Sequence, residues 1–231
     1  MRSYDVATSF VASIARAGSG MQVGSLGRRP QMPLELYEFE ACPYCRKVRE
    51  ALSVLDLDAI VHPCPQGGRR FRTAAAERSG KMQFPFLVDP NTGKEMLESD
   101  DIVRYLFETY GDGTVPWALA LPIITDVSSG LASLARLGAG RSCRAATAPA
   151  RPLELWSFEA SPFCRLVRER LCELELPYLL HNVAKGSPRR DAFVAVSGRM
   201  MVPYLADPNT GSGMFESADI CAYLDRTYAH A

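Results

Sequence analysis

The sequence predicts an α/β protein made of two tandem units, each running β-α-β-α-β-β-α with an extra preceding helix. Three observations carry this. The stretch "FEACPYCRKVRE" at 39–50 returns as "FEASPFCRLVRE" at 158–169, and a repeat of that length organises a fold. The match extends downstream, "SGKMQFPFLVDPNTG" with "SGRMMVPYLADPNTG" and "LESDDIVRYL" with "FESADICAYL", at an offset of 119 residues at position 42 and 118 at positions 85 and 98. Within each copy, short apolar runs alternate with segments of helical period. The boundaries that follow are 1–33 for an N-terminal helix and connector, 34–113 for the first unit, 114–152 for a linker with a helix, and 153–231 for the second unit.

Each unit opens with a helix of small residues, near 7–17 and 127–137, because "SFVASIARAGSG" at 9–20 has a counterpart in "SGLASLARLGAG" at 129–140. A cleaved leader has no reason to recur inside the chain, so these segments read as structural; they are candidates for pressing against the units or for a homodimer contact. After a connector come the strands "PLELYEF" and "PLELWSF". The repeated motif then opens a helix with Val48, Leu52 and Leu55 near helical spacing. A second strand ("AIVH", "YLLHNV") and a second helix ("GRRFRTAAAE", "SPRRDAFVAV") follow. "FPFLVD" and "VPYLAD" lead into "DPNTG", whose Pro, Asn and Gly suit turn dihedrals. A short strand and a last helix, "SDDIVRYLFETY" or "SADICAYLDRTY", close each unit.

Composition narrows the function. The formal net charge is zero, so no basic surplus recommends nucleic acid as a partner. Seven cysteines, an odd number and mostly scattered, fit a reducing compartment better than a disulfide scaffold; the expected location is cytoplasmic, or the chloroplast stroma if an upstream transit peptide has been removed. The apolar run "VPWALALPII" is short and broken by Pro116 and Pro122, so no stable membrane insertion is expected.

The chemistry centres on C-P-Y-C. A C-x-x-C between a strand and a helix, in a chain of reducing character, reads as a thioredoxin-like redox motif. Cys42 falls at a helix start, where unpaired amide protons and the macrodipole favour a thiolate. Pro43 suits the first helical position, and Cys45 one turn inward can resolve a mixed disulfide. The competing readings are half of a zinc site or two core cysteines. Zinc needs a second ligand pair that Cys64, Cys143, Cys172, Cys221 and the three histidines do not supply at structural spacing, so no metal site is expected.

"CPYC" after a strand, with "FPFLVD" and the Glu-Ser pair downstream, resembles the glutaredoxin-like N-terminal domain of glutathione transferases, in the thioredoxin superfamily. The doubled arrangement is similar to tandem proteins of this type in photosynthetic organisms and some bacteria. The resemblance spans about 34–110 and 153–228 and lacks the helical C-terminal domain of ordinary glutathione transferases. It implies Cys42 as nucleophile, Pro85 and Pro203 as cis-prolines facing glutathione, and Glu98, Ser99, Glu216 and Ser217 as holders of its γ-glutamyl end. Glutathione is then a cosubstrate, and the partner a disulfide or glutathionylated protein or a small electrophile. An iron–sulfur cluster is not expected, although such a motif can hold one. Independently of resemblance, Ser99 and Ser217 fit helix N-caps, at a helix start that attracts a carboxylate.

Ser161 replaces the leading cysteine in the second motif and cannot form a thiolate. Its hydroxyl can instead donate to a bound glutathione thiolate, as in serine-type glutathione transferases, or the second site binds without turnover or serves as scaffold. His62 and His181, each among apolar neighbours, read as structural. Arg72 and Arg190 can meet a glycyl carboxylate but fit a solvated face better.

Overall fold

A computed structural model describes residues 20–120 and 139–230; both expected small-residue helices, near 7–17 and 127–137, lie outside them. The first unit comprises β1 (Leu34–Glu38), α1 (Pro43–Val54), β2 (Ala59–Pro63), α2 (Arg72–Ser79), β3 (Phe86–Asp89), β4 (Lys94–Met96) and α3 (Ser99–Tyr110), followed by a short α4 (Trp117–Ala120). The second repeats it as β5 (Leu153–Ser157), α5 (Pro162–Glu173), β6 (Tyr178–Asn182), α6 (Arg190–Ser197), β7 (Tyr204–Asp207), β8 (Ser212–Phe215) and α7 (Ser217–Tyr228). The element order matches the expectation in both copies.

The two units share one eight-stranded sheet, ordered β4-β3-β1-β2-β6-β5-β7-β8. β1 and β2 are parallel, as are β5 and β6, and the helices between them supply the long crossover that parallel pairing needs. At the centre β2 and β6 pair antiparallel, Ala59 opposite Leu180 and Val61 opposite Tyr178, so the units are related by an approximate two-fold axis through the sheet. Each strand pair that would have been an exposed edge is thereby covered by the other.

Packing follows the helical period. Val48, Ala51, Leu52 and Leu55 of α1 meet Leu34, Leu36 and Leu87 of the sheet and Ile102, Leu106 and Tyr110 of α3. Val167, Leu171 and Leu174 do the same in the second unit with Leu153, Leu155, Ile220 and Leu224, and Val61 of the first unit belongs to that second cluster. The Asp-Pro-Asn-Thr-Gly turns are locked from a distance: the Asp89 carboxylate accepts the hydroxyls of Tyr105 (2.5 Å) and Tyr110 (2.6 Å) and the Asn91 amide. Asp207 repeats the lock with Tyr223, Tyr228 and Asn209. These hydrogen bonds hold both carboxyls below the usual range against the opposing effect of burial.

The connectors cross over. Val23 donates to Lys185 O, Lys185 to Met21 O, Gln66 to Arg141 O and Cys143 to Gln66 O, so the segment preceding each unit is hydrogen-bonded to a loop of the other.

Candidate functional site

Cys42 is the N-cap of α1, with φ −76° and ψ 122°, and Pro43 takes the first helical position, as the motif predicts. Its sulfur accepts the Cys45 amide at 3.3 Å. The thiol is pushed below its ordinary range chiefly by hydrogen bonding from the Cys45 side chain, with the amide adding to it and burial opposing. Burial, then the bond to Cys42, pushes Cys45 well up. The contact between the two cysteines and the deeper burial of Cys45, with the helix-start amide assisting, therefore separate one acidic thiol from one that keeps its proton. Cys42 is 3% exposed and Cys45 fully buried, so the Cys42 sulfur lies at the predicted helix beginning but beneath a cover.

Phe84–Pro85 and Val202–Pro203 are cis. The Cys42 sulfur lies 4.0 Å from the Phe84 carbonyl oxygen, Gln83 Nε2 donates to Glu98 Oε1 at 2.6 Å, and Lys47 of α1 pairs with Asp100 of α3. Cys42, the loop before Pro85 and the start of α3 thus form one continuous rim. The predicted serine caps are corrected: α3 and α7 begin at Ser99 and Ser217, and Glu98 and Glu216 occupy the cap positions without a side-chain cap bond. Both glutamates adopt positive φ, 68° and 66°, a strained conformation for a residue with a Cβ, and their side chains are exposed.

In the second unit Ser161 caps α5 with φ −71° and ψ 120°, and its Oγ accepts the Cys164 amide at 3.3 Å. The backbone of the first site is reproduced with oxygen in place of sulfur. Burial pushes the Cys164 thiol up.

Other assignments change. His62 is not alone among apolar groups: it lies 3.1 Å from Glu35 and stacks on Tyr37, while His181 meets Asp58 and Glu154 and stacks on Trp156. Arg72 does not simply face solvent. It donates to Cys64 O at 2.7 Å and lies over the Phe84 ring, and Arg190 donates to the Val183 and Ala184 carbonyls. Loop carbonyls freed at the ends of β2 and β6 attract these guanidiniums. Among the described residues no group of three or more histidine, cysteine or acidic side chains could hold a metal ion, and no helix is long and apolar enough to cross a membrane.

Sequence reasoning missed a buried charge cluster between the motif loops. Arg49 contacts Glu38 and Glu40 of its own unit and Glu159 of the other, Nε to Oε2 at 3.0 Å. Arg168 grips Glu40 with Nε–Oε2 3.1 Å and Nη2–Oε1 3.2 Å, and also meets Glu159 at 2.8 Å. The signal was present in both copies: the Arg-x-x-Arg-Glu run places charges on a helix face that packs inward, and paired charges alone make such burial tolerable.

Residues 36–114 and 155–231 each match the family model described as the glutathione S-transferase N-terminal domain. Among solved structures the chain is similar to one titled "Leishmania TDR1 - a unique trimeric glutathione transferase", at 14% identity and TM-score 0.30, covering 84% of this chain and 68% of that one. No curated protein matches.

Proposed function

From the premise that this chain belongs to the glutathione S-transferase N-terminal-domain family and carries that domain twice, we propose that it is a glutathione-dependent thiol–disulfide oxidoreductase whose nucleophile is Cys42. The observation that supports this most is the unequal cysteine pair at the start of α1: a sulfur that accepts an amide proton and is acidified, one turn from a thiol that is not. The Cys42 thiolate attacks the glutathione sulfur of a mixed disulfide, forming a Cys42–glutathione disulfide and releasing the substrate thiolate, which takes a proton. A second glutathione thiolate then attacks the glutathione sulfur, restoring Cys42 and leaving oxidised glutathione. Cys45 provides a slower exit, since it must lose its proton before attacking Cys42 and expelling glutathione.

In this reading the backbone beside Pro85 meets the peptide part of glutathione, and Glu98 with Ser99 receives its γ-glutamyl end at the start of α3. Pro203, Glu216 and Ser217 offer the same frame in the second unit. Ser161 accepts the Cys164 amide and retains a hydroxyl proton for a glutathione thiolate, which supports binding there and, as a second reading, transfer of glutathione to an electrophile.

The test is reduction of a small glutathione mixed disulfide by glutathione. Cys42→Ser should lower turnover at least 100-fold, while Cys45→Ser keeps most of it; unchanged turnover in Cys42→Ser overturns the assignment. Because Cys42 is covered, its alkylation should be slowed more for a bulky maleimide than for iodoacetamide, each taken relative to its rate with free glutathione.

A further inference from the structure

We infer that the second unit is a working part of the first unit's thiol site: Arg168 and Cys172 position the loop that carries Cys42, acting through Glu40. This rests on the reading of Cys42 as the nucleophile and adds which residues set its geometry.

Glu40 stands two residues before Cys42, and its polar groups are held. Its amide donates to Cys172 Sγ at 3.4 Å. Its carboxylate takes the two-pronged contact from Arg168 and a further contact from Arg49 at 3.2 Å. Its carbonyl accepts from Arg49 Nη2 at 3.3 Å. Cys172 and Arg168 both lie on α5 of the second unit, so the amide and the main grip on the carboxylate come from across the two-fold axis. Burial would raise the Glu40 carboxyl, but Arg168 and then Arg49 outweigh it and hold it low. A planar fork meeting a carboxylate fixes orientation as well as charge.

The arrangement is reciprocal, which supplies an internal control. Glu159, two residues before Ser161, is met by Arg49 of the first unit, and its amide donates at 3.0 Å to Ser53, the residue equivalent to Cys172. Only one of the two loops so held ends in a thiol. The second copy can therefore lose its sulfur and still perform this task, because Arg168 and Cys172 lie beyond the Cys-to-Ser position.

The experiment is the pH profile of iodoacetamide alkylation at Cys42 in the full chain, read on the Cys42 peptide by mass spectrometry. Arg168→Lys keeps the charge and loses the fork; its midpoint should move up by about one pH unit, slowing alkylation about tenfold below the midpoint. Cys172→Ala, which removes the acceptor of the Glu40 amide, should shift it in the same direction. Cys172→Ser should restore the wild-type profile, as Ser53 already does this work at the related position. Ile220→Ala, in the second unit's core, should lower the melting temperature and leave the midpoint alone. The inference is overturned if folded Arg168→Lys and Cys172→Ala both keep the wild-type midpoint, or if Ile220→Ala moves it equally. Loss of the exchange reaction as the function would show instead in Cys42→Ser turnover, which these profiles do not use.

Discussion

Glu38 and Ser157 hold the same place in the two copies of one strand, so only the first copy brings a carboxylate there. Glu38 is buried against Arg49, a guanidinium that Glu40 and Glu159 also share, so three carboxylates meet on one positive charge. Burial, with Glu40 and Glu159 adding to it, raises its carboxyl from 4.5 to about 7 although Arg49 opposes this. The folded chain thus binds a proton that the unfolded chain releases between those values, and stability should fall as pH rises from about 4.5 to about 7 and then level off. The loss is on the order of 3 kcal/mol. Glu38→Gln removes the titration: urea midpoints taken across that window should flatten relative to wild type, and parallel curves would refute the role given to Glu38. The same strand charge opposes the Cys42 thiolate, so the variant should also make that thiol more acidic.

At the level of elements, the loop before α2 and the turn after α5 fit each other by an exchange visible between the two copies. A Cβ on Gly68 would come within 2.5 Å of Glu175 Oε1, and that carboxylate is pinned by the amides of Arg69 and Arg70 and by Cys143. At the related positions stand Ser187 and Asp56, a side chain added on one side and a methylene removed on the other, and Arg189 reaches the Asp56 carboxylate directly. Gly68→Ser should cost about 1–3 kcal/mol by overpacking, and Glu175→Asp added to it should recover part of that loss in a thermal melt; purely additive losses would refute the coupling. The elements themselves were legible in the sequence, because the apolar period of "CRKVREALSVL" and the turn residues of "DPNTG" act locally. So was the Cys42 cap, which needs only a strand, a cysteine and a proline. Glu98 was not, since a residue forced to positive φ at a helix entrance is set by the loop joining it to β4 and leaves no mark in composition. Nor were Tyr105 and Tyr110 on Asp89, which act across 16 and 21 residues.

For the whole molecule, what the repeat could not reveal is that its copies form one sheet. Local pattern fixes what each strand is, whereas the β2–β6 pairing depends on two edges matching across about 120 residues of chain. Val61 lies in the second unit's core, the connectors are bonded to the opposite units, and the arginines of α1 and α5 share acids across the axis. Opening that seam exposes paired charges and a strand edge together. Removing one partner of such a pair costs about 3–5 kcal/mol, so separated units are a poor intermediate and unfolding should be a single cooperative event. Leu106 of α3, fully buried in the first unit's cluster and outside the β2–β6 pairing, gives the sharpest check. Leu106→Ala should destabilise by about 2–5 kcal/mol, and if the sheet unfolds as one block, hydrogen exchange in β5 and β6 of the second unit should accelerate by the same factor as in β1 and β2. Acceleration confined to the first unit would mean that the two copies stand or fall separately, and that the shared sheet joins two independent folds.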